Sequence, residues 1–255
     1  MTKVFGIIGD PIAQVRSPAI FNKLFKDKNV DAIMVPLQVG AEEFTRALAA
    51  LRKIENIVGL IVTVPHKIAA AQLSTVRSGR VILANAANAL RNGPEGWESD
   101  LFDGEGFAVG FEAAYGSLTG KTCAIVGCGG AGSAIALALV ERNVSSLYLS
   151  DSDWDRCKVL ASRLSRLGLS KVVVGSPDNQ TEIAINATPL GMKIGDPLPI
   201  DLKVLGSGTV VAEVIMKPAR TELLIKASKM GFKTHDGKHM LDFQVNELWK
   251  YFSLP

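Results

Sequence analysis

With 255 residues, 47% of them hydrophobic and 21% charged, the chain is long enough for one large α/β domain or two smaller ones, and too apolar for disorder. Its net charge is only +3 and its Lys and Arg are dispersed, which excludes the electrostatic footprint of a nucleic-acid or anionic-membrane binder and leaves small molecules as expected partners. No uncharged apolar run approaches the roughly 20 residues that span a bilayer, and Met1 to Gly9 lacks the flanks of a signal peptide, so a cytoplasmic protein, monomer or homodimer, is expected.

Short β-branched runs alternate with amphipathic stretches from the start: Val4 to Ile8, Ile20 to Phe25, Ala32 to Leu37, Phe44 to Leu51 and Leu60 to Val64. That alternation predicts βαβ units around a mainly parallel sheet. Ser17-Pro18 reads as an N-cap followed by proline at the first helical position, and Pro65 as the opening of the next helix. A second sheet is predicted from Thr122 to Val126 onward, through Leu147 to Leu149, Val172 to Val174, Ile183 to Ile185 and Val210 to Val214. Helical patterns at Ala131 to Val140 and Trp154 to Leu167 lie between the earlier strands. The last helix, Met240 to Phe252, carries an apolar stripe of Leu241, Val245, Leu248 and Phe252 and is expected to return to the first domain. The predicted division is 1–105 with 238–255 for the first domain and 106–237 for the second.

Gly127-Cys128-Gly129-Gly130-Ala131-Gly132 has the context that gives a glycine pattern meaning, a strand before it and a helix after it. Gly127 permits the tight turn, Gly129 lets backbone approach a pyrophosphate, and Gly132 allows the helix to pack closely on the strand. The helix N-terminus adds free N–H groups and partial positive charge for phosphates. Asp151 closes the next strand about 20 residues on, where a carboxylate accepts ribose hydroxyls of NAD and repels a 2′-phosphate. NAD is therefore expected over NADP, although Arg156 on the following helix offers a route to a phosphate.

Cys123, Cys128 and Cys157 have no metal-ligand spacing and read as buried thiols. His66, His235 and His239 likewise form no metal motif or catalytic dyad, and each reads as solvated or structural; no metal is expected. No serine or cysteine sits in a nucleophile elbow.

Taken in order along the chain, further segments resemble the shikimate and quinate dehydrogenase family. They are Gly9-Asp10-Pro11-Ile12 with Ser17-Pro18, Val62-Thr63-Val64-Pro65-His66-Lys67, Asn88, Asp103-Gly104-Glu105-Gly106, the Gly127 to Gly132 loop, Asn186-Ala187-Thr188-Pro189-Leu190-Gly191-Met192, Pro218 with Thr221-Glu222-Leu223-Leu224, and Met240-Leu241 with Gln244. The resemblance implies a substrate-binding α/β domain followed by a Rossmann-type domain, with the C-terminal helix returning to the first. It implies reversible hydride transfer between nicotinamide and a secondary alcohol on a carboxylated ring. Lys67 and Asp103 would be the catalytic pair, Asn88, Thr63 and Gln244 would contact ring hydroxyls, and Asn186, Thr188 and Pro189 would join Gly127, Gly129, Gly130, Ala131, Gly132 and Asp151 at the cofactor. Chemistry gives a reason for such a pair, since oxidising an alcohol needs a proton acceptor within hydrogen-bond reach of its oxygen. Taken alone, Lys67 reads as a solvated side chain and Asp103 as a turn residue or N-cap.

The sequence departs from the family pattern where a substrate carboxylate is held. Val15 stands for a serine and Met216 for a tyrosine, while Ile61, Leu101 and Phe102 replace polar residues. Arg16 or Ser17 is left to take the anion; otherwise a less polar alcohol or ketone is the substrate. A nucleotide-binding sensor without catalysis is the alternative from another class.

Overall fold

The computed structural model describes residues 1–168 and 170–255. The side chains of His239 and Leu241 lie outside the described ones, and with them the histidine and the stripe position expected there. The chain divides into two compact units, Met1–Phe102 with Val245–Pro255, and Asp103–Gln244.

The first unit runs β1 (Lys3–Gly9), α1 (Ser17–Asp27), β2 (Ala32–Gln38), α2 (Phe44–Leu51), β3 (Ile57–Val62), α3 (Lys67–Leu73), β4 (Val76–Arg77), α4 (Gly79–Ala84), β5 (Ala89–Asn92) and β6 (Trp97–Asp100). Its sheet has the order β2-β1-β3-β5-β6-β4, parallel except where β5 runs against β3 and β6. Phe21 and Phe25, one helical turn apart on α1, pack with Phe5 of β1, Met34 of β2, Ile61 of β3 and Phe102. Val245, Leu248 and Phe252 complete this core. Gly59 lets the last aromatic seat on the sheet, because a Cβ there would meet the Phe252 ring at 2.5 Å.

Two local expectations are corrected. Arg16, not Ser17, occupies the N-cap position of α1, with φ −109° and ψ −15° and no side-chain cap bond. Because Arg16 is already helical, Ser17 lies inside the first turn, where its hydroxyl cannot act as the extended cap residue does. Nor does Pro65 open a helix: α3 starts two residues later, at Lys67.

The second unit begins with α5 (Asp103–Tyr115) and continues β7 (Thr122–Val126), α6 (Gly130–Glu141), β8 (Ser146–Ser150), α7 (Trp154–Ser165), β9 (Lys171–Val174), β10 (Ile183–Asn186), β11 (Val210–Glu213), α8 (Glu222–Lys229) and β12 (Lys233–His235). The final helix, α9, spans Lys238–Tyr251. The sheet order β12-β11-β10-β7-β8-β9 is parallel throughout. This is the doubly wound dinucleotide-binding order, and its switch point lies between β7 and β10, where the loops after the two strands diverge to form a crevice. The fold is thus the expected α/β class with a Rossmann-type half.

Candidate functional site

The glycine loop fills the switch point. Gly127 follows β7 with φ +102°, and its N–H donates to the Ser150 carbonyl at 2.7 Å. A Cβ on Gly127 would sit 2.8 Å from backbone atoms of Ala187 and Thr188, so the loop leans directly on the turn after β10. A Cβ on Gly132 would land on the Gly127 carbonyl oxygen. Gly129 differs: its φ is −74° and nothing lies within 4 Å of an added Cβ. Internal sterics explain the first and last glycines but not this one, whose open face is the approach a pyrophosphate needs. Gly130 and Ala131 start α6, so the first-turn N–H groups face the same opening.

Asp151, just beyond β8, is tied to this loop. Cys128 N–H donates to Asp151 Oδ2 at 2.7 Å, and Asp153 N–H donates to Oδ1 at 3.0 Å. Against the desolvation that raises it, these N–H groups and the Arg156 guanidinium hold the Asp151 carboxyl below the usual carboxylate range. Arg156 is itself shared, 3.6 Å from Asp151 and 3.5 Å from Asp153. Beneath the loop the Cys128 and Cys157 sulfurs lie 3.5 Å apart, both buried, and burial pushes both thiols up.

On the other side of the switch point, Asn186 organises the following turn. Its Oδ1 accepts from Thr188 N–H at 2.9 Å and Thr188 Oγ1 at 2.7 Å, while its Nδ2 donates to the Leu190 carbonyl at 3.0 Å. Pro189 lies within this turn. One residue escaped the sequence reading. Glu213, fully buried at the end of β11, accepts from Asn186 Nδ2 at 3.1 and 3.0 Å and from Thr221 Oγ1 at 3.0 Å. The signal was an acid closing the apolar strand Val210-Val211-Ala212, where burial on both faces leaves a carboxylate unexplained.

Asp103 and Gln244 also belong to the second unit, and both are buried. Gly104, next to Asp103, is forced to be small by the Ala134 carbonyl of α6. Two residues further along α5, a Cβ on Gly106 would lie 3.0 Å from Gln244 Cβ. Glycines on α5 thus bring Asp103's helix close to both the nucleotide helix and Gln244.

In the first unit, Thr63, Lys67 and Asn88 gather at the carboxyl end of β3. Thr63 N–H donates to the Ile8 carbonyl at 2.9 Å, Val62 N–H to the Asn88 carbonyl at 2.8 Å, and Ala87 N–H to the Lys67 carbonyl at 2.9 Å. Asn88 Oδ1 accepts from Phe102 N–H at 2.8 Å, fixing the chain just before Asp103. Lys67 is 8% exposed, which is not the solvated lysine that a helix start alone suggests. Its neighbour His66 is structural: Nε2 lies 2.6 Å from the Val39 carbonyl and the ring stacks on Phe44 at 4.2 Å. His235 is structural too, ringed by Phe107, Phe111 and Tyr115.

Ser17 is buried and Arg16 exposed at the start of α1. Val15 is half-buried against the first unit's core, and Met216 is half-buried after β11. Ile61 and Phe102, by contrast, are members of the core cluster, and Leu101 is 3% exposed. Their apolar character serves packing, so they say little about a binding pocket. Among the described residues no group of three or more His, Cys, Asp or Glu could hold a metal ion, and no helix is long and apolar enough to cross a membrane.

Fold and loop together define a class: a two-unit α/β protein whose second half is built as a dinucleotide-binding dehydrogenase domain is built. The family model described as shikimate dehydrogenase substrate binding domain matches residues 7–90. A shikimate dehydrogenase (NADP(+)) of Cereibacter sphaeroides is 32% identical over 94% of this chain and 88% of its own. One of Methanosphaera stadtmanae is 30% identical over 99% and 91%. The chain belongs to the shikimate dehydrogenase family, whose members are oxidoreductases acting on CH–OH groups. Among solved structures, a shikimate dehydrogenase in complex with NADP+ superimposes with TM-score 0.88 at 28% identity, covering 99% of this chain and 90% of that one. Quinate dehydrogenase from Corynebacterium glutamicum in complex with NAD gives 0.84 at 25%, covering 99% and 94%. A 5-ketofructose reductase of Gluconobacter sp. strain CHM43 gives 0.82 at 25%, covering 99% and 93%.

Proposed function

We propose that the protein is a nicotinamide-nucleotide-dependent dehydrogenase, interconverting a secondary alcohol and a ketone on a shikimate- or quinate-like ring. The observation that carries this is Gly129, a glycine that neither backbone conformation nor neighbouring atoms require, set between Gly127 and Gly132, which sterics fix. When bound there, the nicotinamide nucleotide supplies or takes the hydride. Gly127, Gly129, Gly130, Ala131 and Gly132 hold the pyrophosphate through backbone N–H groups. Asn186, Thr188 and Pro189 shape the turn on the far side of the crevice.

Lys67 and Asp103 form the proton relay for the substrate hydroxyl, by resemblance to the family pair. One member of the pair, either Lys67 or Asp103, takes the hydroxyl proton as the hydride departs. Thr63, Asn88 and Gln244 hold ring hydroxyls, and Ser17 and Arg16 take the carboxylate of a ring acid. Asp151 favours NAD. Its carboxylate is kept ionised by two N–H donors, and Asp153 adds a second negative charge two residues on, both of which would repel a 2′-phosphate. Arg156, already engaged by both acids, is poorly placed to offset them. The relatives named for NADP(+) stand against this preference, and the NAD complex of the quinate dehydrogenase stands with it.

Val15 and Met216 favour a second reading of the substrate, a less polar alcohol or a keto sugar. Apolar groups cannot replace the water stripped from a carboxylate, and a structural neighbour is named for reducing 5-ketofructose. A panel of shikimate, quinate, 5-ketofructose and uncharged ring alcohols, assayed with NAD(H) and NADP(H) for change in nicotinamide absorbance, tests both. Turnover of shikimate or quinate supports the ring-acid substrate; turnover confined to the uncharged compounds supports the second; no turnover of any, with nucleotide bound, leaves a sensor.

A further inference from the structure

We propose, resting on the nucleotide reading above, that Glu213 is a positioning residue that holds the turn after β10 and the segment after β11 in one arrangement beside the nucleotide loop. Five hydrogen bonds converge on its carboxylate. Besides the bonds from Asn186 and Thr221, Val214 N–H donates to Oε1 at 2.9 Å and Ile215 N–H at 3.1 Å. Asn186 passes the constraint on, since its amide oxygen fixes Thr188 and its amide nitrogen fixes Leu190. Ala187 and Thr188 in turn back directly onto Gly127, the first glycine of the nucleotide loop. A single buried carboxylate thereby ties together the 186–190 turn, the 214–216 segment and the start of α8 at Thr221.

The donor set favours the ionised form. Asn186 cannot turn its amide over without losing Thr188 and Leu190, so its NH₂ must point at Glu213 and needs an acceptor there. A proton on Glu213 would displace one of these donors unless the Thr221 hydroxyl turned to accept it, so only the carboxylate takes all of them at once. Burial, opposed by the bonds from Asn186, Ile215, Thr221 and Val214, pushes the Glu213 carboxyl up to about 7 from an ordinary 4.5. Among the described residues, Gly237 packs on the Val214 and Ile215 backbone between half-buried Asp236 and exposed Lys238, which is paired with Asp242. On β12, His235 is registered with Ala212 and packs among Phe107, Phe111 and Tyr115. On α8, Glu222 is paired with Lys226 at the surface and Lys229 is exposed; Lys217 and Arg220, in the segment between, are exposed as well. β10 contributes only Asn186 as a polar group.

The two consequences have opposite signs. Because the folded value lies above the ordinary one, protonated Glu213 favours the fold, and that contribution is lost as pH rises through about 7. Ordering of the two segments goes the other way and is gained over the same range. Nucleotide binding is therefore tighter above neutrality than below it.

Isothermal titration with NAD or NADP, whichever binds more tightly, across about two pH units on either side of neutrality tests this. The parent protein is expected to lose on the order of ten-fold in affinity as pH falls through the Glu213 range, the worth of one bond to a charged group. Glu213→Gln is expected to lose that inflection and bind at the weak level throughout, a change a merely structural residue would not produce. Thr221→Val removes one donor from the carboxylate and should move the parent's midpoint upward; it carries the test if Glu213→Gln fails to fold. An inflection unchanged in Glu213→Gln, or a midpoint unmoved in Thr221→Val, overturns the role of Glu213 alone. A parent protein that binds neither nucleotide overturns the dehydrogenase function and this role together.

Discussion

Asp151 shows how far one side chain can be held in place before any ligand arrives. Its two oxygens accept the Cys128 and Asp153 N–H groups and the Ser152 hydroxyl, and Arg156 lies 3.6 Å away. Asp151→Ala is expected to weaken NAD and to narrow the gap between NAD and NADP, measured by titration with both nucleotides. Tighter NADP binding by the parent would remove the preference. The position of Asp151 was legible because the acid closes a strand at the right distance from the glycines. Glu213 was not, because its meaning lies in donors brought from Asn186, Thr221 and its own following backbone, which no local pattern announces. Lys67 was half legible: the sequence placed it at a helix start, while its burial comes from the tertiary fold.

Among the elements, sequence periodicity finds strands buried on both faces, such as β1, β7 and β10, and also β2 and β8, where buried and more open positions alternate. β5 and β6 are different. Ala89-Leu90-Arg91-Asn92 and Trp97-Glu98-Ser99-Asp100 carry weak strand patterns, and their pairing is supported by Arg91 bonding Glu98 across the hairpin at 2.6 Å. α5 was equally hidden, since Gly104, Gly106 and Gly110 are poor helix formers, the first two kept for close approach rather than propensity. The loop opening α6 yields a paired prediction. Gly129→Ala has room and an ordinary backbone conformation, so it should fold with parent stability yet lose nucleotide affinity on the order of ten-fold or more. Gly132→Ala meets the Gly127 carbonyl and should lose stability as well, by about 1–3 kcal/mol for overpacking. Denaturant unfolding and titration on both variants check this; equal nucleotide binding by Gly129→Ala and the parent would mean that the open face is not a phosphate site.

At the scale of the whole chain, two cores divide the labour. Phe252, 7% exposed, closes the first core over Gly59, and Phe252→Ala should cost about 3–5 kcal/mol in denaturant unfolding. Nucleotide affinity should be unchanged under conditions where the variant is folded, because the glycine loop, Asp151 and Asn186 all belong to the second unit. Of the proposed catalytic pair, Lys67 belongs to the first unit and Asp103 to the second. Hydride transfer with this proton relay is tested most directly by steady-state turnover of Lys67→Ala and Asp103→Ala on the best substrate of the panel, with nucleotide affinity measured on the same preparations. The expected result is a loss of turnover on the order of 10²–10⁴ in each variant, with folding and nucleotide affinity retained. Near-parental turnover in either folded variant would contradict it and remove that residue from the relay.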